Sequence, residues 1–341
     1  MQQPDSSGAR GATGRDPDAG PVPGTGTDAR LGHVLLSSMK DEGPYVLEFV
    51  AHHRAMGFDR LFIASNDCSD GTDLLLDALD RGGAITHYRN DLSPDDIPQH
   101  AAYAGMRQRF GLDRADWLMV LDADEFLSVT VGQGRVQDMT AQAQGDDDII
   151  MLSAKTFGTT PDPDWHPGLV TEQFQRRLAL GHRANCPVKT IARGIDRFGA
   201  IHNHSVNIYR GTEPLTVLRS DGSRFQIPPG IRLWRYLRNI PRDQIRHGFA
   251  HYNHYAIKSM ASFALRQERQ LGTDPAGKDN DRHTLGYFDN IARARVADGD
   301  FVTRHGAALR AEMARLLTLP GVAEAQAEAE RRYAARIAAL G

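Results

Sequence analysis

The chain has 341 residues, of which 40% are hydrophobic and 24% charged, and its 40 Lys and Arg against 43 Asp and Glu leave a net charge of −3. That length suits about two domains at roughly 150 residues each, or one large one. So even a charge balance excludes a global basic field for nucleic acid or anionic lipid. Cys68 and Cys186 are too few for a disulfide framework and lack zinc-site spacing. No apolar run approaches the ~20 residues of a membrane helix, and the first residues, Met1-Gln-Gln-Pro-Asp, show no apolar signal segment. The chain therefore reads as cytoplasmic, with no transmembrane part and no nucleic-acid partner.

Residues 1–30 hold six glycines and four prolines and almost nothing large and apolar. Such a segment reads as a disordered tail, because burial cannot offset the entropy of ordering it. From 31 onward strands and helices alternate. Residues 33–37 predict a strand, 43–57 a helix, 60–65 a strand, 72–81 a helix, 84–88 a strand, 98–110 a helix and 117–121 an almost wholly apolar strand. Residues 148–153 extend the series. This alternation predicts an α/β fold, a mixed, mostly parallel sheet flanked by helices. Beyond 155 the rhythm breaks: 160–170 and 210–230 read as loops, and 187–209 and 249–255 as short strands. Helices are expected at about 258–271, 282–297, 304–318 and 321–340, a helical C-terminal extension (271–341) to a main domain at 31–270.

The strongest chemical signal is Leu121-Asp122-Ala123-Asp124-Glu125-Phe126, directly after the most apolar strand. Ligands of parallel α/β sheets bind at the carboxyl ends of strands. Two carboxylates one residue apart there suit a hard divalent ion, Mn²⁺ or Mg²⁺. Two more strand-end loops converge on the same edge. Lys40-Asp41-Glu42-Gly43 follows the first strand; Ser65-Asn66-Asp67-Cys68-Ser69-Asp70-Gly71-Thr72 follows the second. Asp70 and Thr72 serve equally as helix caps, whereas Asn66 and Asp67 are placed to meet a base edge or a ribose hydroxyl. Cys68 reads as a loop filler.

These three segments, in order, resemble family 2-like glycosyltransferases with a GT-A fold, and most of all the bacterial branch related to family 92. The resemblance spans roughly 33–270 and extends to Thr156-Phe-Gly158, Glu172-Gln-Phe174, Val188-Lys-Thr190 and His251-Tyr-Asn-His-Tyr-Ala-Ile-Lys-Ser259. One departure is that Asn66 stands where the common loop has Asp, with one residue fewer before Asp70. The resemblance implies a GT-A nucleotide-diphospho-sugar transferase fold, a nucleotide-sugar donor and a glycan or other hydroxyl acceptor. Metal-dependent glycosyl transfer would follow, with inversion, in polysaccharide or glycan synthesis. Lys40, Glu42, Asn66, Asp67, Asp70, Asp122 and Lys189 are then the expected donor-binding residues, with Lys189 or Lys258 placed to steady the diphosphate unless both are surface lysines. Asp122, Asp124, His254 and, second among histidines, His202 are the expected metal ligands. Asp164 and Glu172 are the candidate bases for the acceptor hydroxyl. The alternative from another class is a non-catalytic nucleotide-sugar or glycan-binding protein that keeps the fold. Nucleotidyl transfer is disfavoured by the lack of a Gly-rich phosphate loop with a following Lys-Arg pair.

Overall fold

The computed structural model describes residues 29–268, 282 and 284–340. The expected tail, but for Ala29 and Arg30, and the expected boundary at 270/271 lie outside the described residues. The N-terminal part follows the predicted alternation: β1 (His33–Met39), α1 (Gly43–Ala55), β2 (Arg60–Ser65), α2 (Thr72–Arg81), β3 (Thr86–Arg89), α3 (Pro98–Phe110) and β4 (Trp117–Val120). Then come β5 (Glu125–Val129), α4 (Val136–Thr140), β6 (Asp147–Thr156), α5 (Val170–Gln173) and β7 (Arg176–Arg177). The middle of the chain adds β8 (Val188–Ala192), β9 (Phe198–Ile201), β10 (Val206–Tyr209), β11 (Leu215–Arg219) and β12 (Arg224–Ile227). The remainder is α6 (Trp234–Leu237), β13 (Ala250–His254), α7 (Met260–Glu268), α8 (Leu285–Ala292), β14 (Val296–Ala297), α9 (Asp300–Leu317) and α10 (Val322–Ala338).

Ten strands form one mixed sheet whose main path runs β12-β11-β6-β8-β4-β1-β2-β3. β4, β1, β2 and β3 are parallel, while β8 runs antiparallel to both β4 and β6. β13 joins parallel to β6 and antiparallel to β5. Helices cover both faces. Along β1 and β2 the side chains alternate between the two cores: Leu35, Leu61 and Ile63 face one with α1 and α2, and Val34, Leu36, Phe62 and Ala64 face the other with Tyr103 and Met106 of α3. The expected mixed, mostly parallel sheet flanked by helices is what the chain builds.

Three elements depart from expectation. Residues 210–230 contain a hairpin, β11–β12, in which Gly222 takes φ +87° and Asp221 accepts hydrogen bonds from Ser223 N–H and Oγ–H. Flanking Pro, Gly and Asp hide its short alternating run. The helix expected over 282–297 ends with α8, and β14 then pairs with β7. Glu125–Val129 is a strand although it opens on an acid. The C-terminal helices pack on the α1 face of the sheet. Arg54 of α1 pairs with Glu312 of α9 at 2.7 Å, and Tyr333 Oη of α10 accepts from Tyr45 Oη–H at 3.2 Å. No described helix is long and apolar enough to cross a membrane.

Where α1 meets β5 and α9, the rings of His52, His53 and His305 gather round Phe126 and Phe301, with centroids 4.7 Å apart for His52–Phe301 and 5.6 Å for His52–His305. Burial lowers all three pKa values: His53 to about 3, His305 to about 4, His52 well below the ordinary range. In the unfolded chain each binds a proton below about pH 6.5. Between about pH 4 and 6.5 the unfolded state therefore holds more protons, and stability falls as pH falls, by up to ~1.4 kcal/mol per pH unit per histidine. Urea midpoints are expected to drop steadily from pH 7 to 5, and His305→Gln to flatten that slope. A midpoint independent of pH in this window would contradict neutral, buried histidines.

Candidate active site

The strand order β3-β2-β1-β4 places a topological switch point between β1 and β4. The chain winds outward from β1 through β2 to β3, then returns to the other side of β1. In open α/β sheets the crevice at such a point, beyond the carboxyl ends of the strands, is where ligands sit. Asp41 and Glu42 follow β1, and Asp122 and Asp124 follow β4.

The acidic motif is organised by Lys189, which is fully buried on β8. Its Nζ donates to Asp122 Oδ2 at 3.0 Å and to Asn203 O at 2.6 Å, and pairs with Glu125 Oε2 at 2.6 Å. Glu125 Oε2 also accepts the Asp122 N–H at 2.8 Å, and Asp122 Oδ1 accepts from Gln99 of α3 at 3.0 Å. Burial opposes charge on Lys189, but Asp122 and Glu125 outweigh it and hold the ammonium above its usual pKa. One ammonium cannot neutralise two buried carboxylates. Burial accordingly pushes Glu125 up to about 8, while Lys189 overcomes the same penalty at Asp122 and lowers it.

Asp124 has other neighbours. Its backbone carbonyl accepts from Tyr255 N–H at 2.9 Å, tying the motif to the end of β13. His254 lies opposite Glu125 in the β5–β13 register, with Nε2 3.7 Å from Asp124 Oδ2. Arg266 of α7 reaches the same oxygen at 3.4 Å. Burial disfavours the Asp124 carboxylate, but His254, Lys258 and Arg266 prevail and hold it well below the usual range.

Beside Asp124 opens a pocket of about 380 Å³ of empty volume. Asp41 and Glu42 contribute from the β1–α1 loop, Lys258 and Arg266 from after β13, and Tyr333 and Arg336 from α10. Lys258 Nζ stands 4.4 Å from the Tyr45 ring centroid and 3.8 Å from Glu42 Oε2, and Arg336 pairs with Asp41 at 3.0 Å. Asp41 and Lys258 hold φ of +53° and +49°, and Asp67 on the neighbouring loop +46°. Backbone held in this region by residues other than glycine is a mark of functional loops. α10 closes down tightly: a Cβ on Gly43 would lie 2.9 Å from the Ala329 Cβ, and one on Gly71, itself at φ +87°, 3.5 Å from the Ala329 Cα.

The expected site residues divide accordingly. Glu42 lines the pocket, and Asp124 and His254 meet beside it. Lys40 pairs with Asp67 at 3.8 Å at the outer rim of the two loops, and the buried Asn66 donates to Asp67 Oδ2 at 3.0 Å. Asp70 is corrected to a clamp. It is fully buried, and its oxygens accept from Gly43 N–H at 2.8 Å, Thr72 N–H at 3.0 Å and Thr72 Oγ at 2.6 Å. Lys189, expected to steady a phosphate, is sealed beneath the acids and presents nothing to a ligand. His202 lies against His100, ring centroids 4.9 Å apart, and makes no contact with Asp124. Asp164 sits on an exposed turn, where its N–H donates to Asp162, and Glu172 is drawn to Arg310 of α9. Their neighbours Trp165, His166 and Gln173 line a smaller cavity next to the main pocket, but neither carboxylate does. Gln99, Glu125, Arg266, Tyr333 and Arg336 are site residues that the sequence reading misses. Only Glu125 carried a local signal, as the third acid of the motif.

The expected divalent ion does not fit this donor set. Both oxygens of Asp122 are taken by Lys189 and Gln99, Asp124 is faced by a guanidinium, and among the described residues no three His, Cys, Asp or Glu side chains gather to hold a metal.

No protein-family model matches the chain, and no curated protein matches it. Among solved structures it is similar to S. aureus TarS 1-349, at 10% identity over 89% of each chain with a TM-score of 0.34. It is also similar to the mannosyltransferase Ktr4p from S. cerevisiae, at 10% identity over 36% of this chain and 39% of that one with a TM-score of 0.22.

The Lys189 cluster yields a stability test. Removing one member of a buried charge set strands the others, at a cost of about 3–5 kcal/mol. Lys189→Met is expected to lose that much in chemical denaturation, and the triple variant with Asp122→Asn and Glu125→Gln to recover most of it. Equal losses in the two proteins would show that the ammonium is not what the acids depend on.

Proposed function

We propose that this chain is a glycosyltransferase of the GT-A type, related to family 2 and its family 92 branch. It moves a sugar from a nucleotide-diphosphate donor to an acceptor hydroxyl in glycan synthesis. The observation that supports this best is the meeting of the Asp122-Ala-Asp124 segment, the β1–α1 loop and the β2–α2 loop at the switch point of the sheet. A nucleotide has its natural seat there. The acidic rim is suited to donor hydroxyls: Asp124, kept ionised by its neighbours, and Glu42 are hydrogen-bond acceptors, and Asn66 and Asp67 offer an amide and a carboxylate to a base or ribose.

The reaction is a single displacement that inverts the anomeric carbon. The acceptor oxygen bonds to that carbon as the bond to the β-phosphate oxygen breaks. The electron pair stays on the departing nucleoside diphosphate, and the hydroxyl proton passes to solvent. The chain's own part is to orient the donor and to lower the energy of the charge that develops on the leaving group.

A donor screen tests this reading: release of UDP, GDP or dTDP from the corresponding sugar nucleotides, with and without Mn²⁺. Turnover with one nucleotide class is expected, and Asp124→Asn should lower kcat/KM by about tenfold or more, the worth of a hydrogen bond to a charged group, with an unchanged circular dichroism spectrum certifying the fold. Saturable donor binding with no turnover on any acceptor would favour the non-catalytic alternative, and no binding of any sugar nucleotide would overturn the proposal.

A further inference from the structure

Two arginines that line the pocket beside Asp124 each carry a buried guanidinium N–H group with no acceptor among the described residues. Arg266 is nearly enclosed. Its Nη1 donates to Ala256 O at 2.5 Å and reaches Asp124, but its Nε is buried without a hydrogen-bond partner. Arg336 Nη1 is likewise buried without one, for although it lies 3.0 Å from Asp41 Oδ2 the approach lacks hydrogen-bond geometry. An unmet buried donor costs about 1–3 kcal/mol, so two of them on arginines that line one pocket point to an acceptor that the described residues do not supply. Lys258 is a third cation on the same lining, which among the described residues holds two carboxylates, Asp41 and Glu42. Among the described residues the lining is therefore net positive, and its unmet groups are donors.

We propose that Lys258, Arg266 and Arg336 bind the donor's diphosphate, so that protein cations meet the leaving group's charge where a divalent ion would otherwise do so. This rests on the nucleotide-sugar reading above. Guanidinium groups suit the task because their forked N–H groups match phosphate oxygens, and the electron pair left on the β-phosphate oxygen by the breaking bond falls among fixed positive charges. Two observations converge on it. The acids that would hold an ion are already engaged by Lys189, Gln99 and Arg266, and the orphan donors belong to arginines that line the pocket. The proposal also gives the C-terminal helix a part in the site, because α10 delivers Arg336 and is seated by the contact of Ala329 with Gly43 and Gly71.

The experiment is calorimetric titration of the full chain with UDP, GDP and dTDP, first in EDTA and then with Mn²⁺. One of the three is expected to bind in EDTA with an affinity within about threefold of that in Mn²⁺, which is under 1 kcal/mol. Arg266→Ala and Arg336→Ala should each weaken metal-free binding by about tenfold, the worth of a charged hydrogen bond, with Arg336→Lys intermediate and unchanged circular dichroism spectra certifying the fold. Binding that appears only on adding Mn²⁺ overturns this inference and leaves the nucleotide-sugar reading standing. Binding of none of the three under either condition overturns both. Because the wild-type result in EDTA already decides the matter, a variant that fails to fold does not.

Discussion

A single buried ammonium holds together the edge of the sheet where the candidate site lies. Lys189 lies beneath the loop that follows β4, and Asp122, Glu125 and the carbonyl of Asn203 all close on it. Three acids in four residues could not be drawn into a protein interior without a countercharge, since each isolated carboxylate would shed its charge or leave. With Lys189 in place the segment turns back on itself, Glu125 opens β5, and β5 in turn pairs with β13. That pairing brings His254, Lys258 and Arg266 to the crevice. The position of every cation near Asp124 thus depends on an ion cluster that no ligand touches.

Above this cluster the arrangement is one of matched charges, Arg266 with Asp124, Lys258 with Glu42, Arg336 with Asp41. Each pair joins two different stretches of chain. Such pairs are exchangeable in a way that apolar contacts are not: an incoming anion can take over a guanidinium, and the released carboxylate can accept a donor hydroxyl. The positive φ angles at Asp41 and Lys258 fit a site in which local conformation is subordinated to side-chain direction.

Much of the sheet was legible because burial on two faces leaves a strong imprint. Val34 to Leu36 and Trp117 to Leu121 are apolar at every position, as strands covered on both sides must be. The acids after β4 were legible for the same reason, since an abrupt change from apolar to acidic marks a strand's end. What a motif cannot tell is the direction a carboxylate faces. Asp70 sits in a loop that reads as a binding loop, yet the backbone N–H groups of Gly43 and Thr72 consume it. Lys189 was named as a donor-binding residue, but whether it looks to a ligand or to buried acids is settled only by packing. Arg266 and Arg336 were illegible, because each is an ordinary basic position on an amphipathic helix, and nothing local records that α7 and α10 meet over the crevice. The hairpin β11–β12 was lost to its flanking loop residues, and Glu172 was misread because its partner, Arg310, is remote in sequence.

The seating of α10 on Gly43 and Gly71 has a consequence for when the pocket exists at all. Its wall joins the first loop of the sheet to the last helix described, so its loop-closure entropy is set by nearly the whole chain. A contact so remote in sequence forms late in folding, and a terminal helix is among the first elements to detach in local opening. A compound that spans Arg336 and the β1–α1 loop would pin that helix in place, and by mass action would protect the assembled state against opening. Occupancy of the pocket and integrity of the C-terminal helix are in this sense one equilibrium. The chain would be most open to proteases when it has nothing bound.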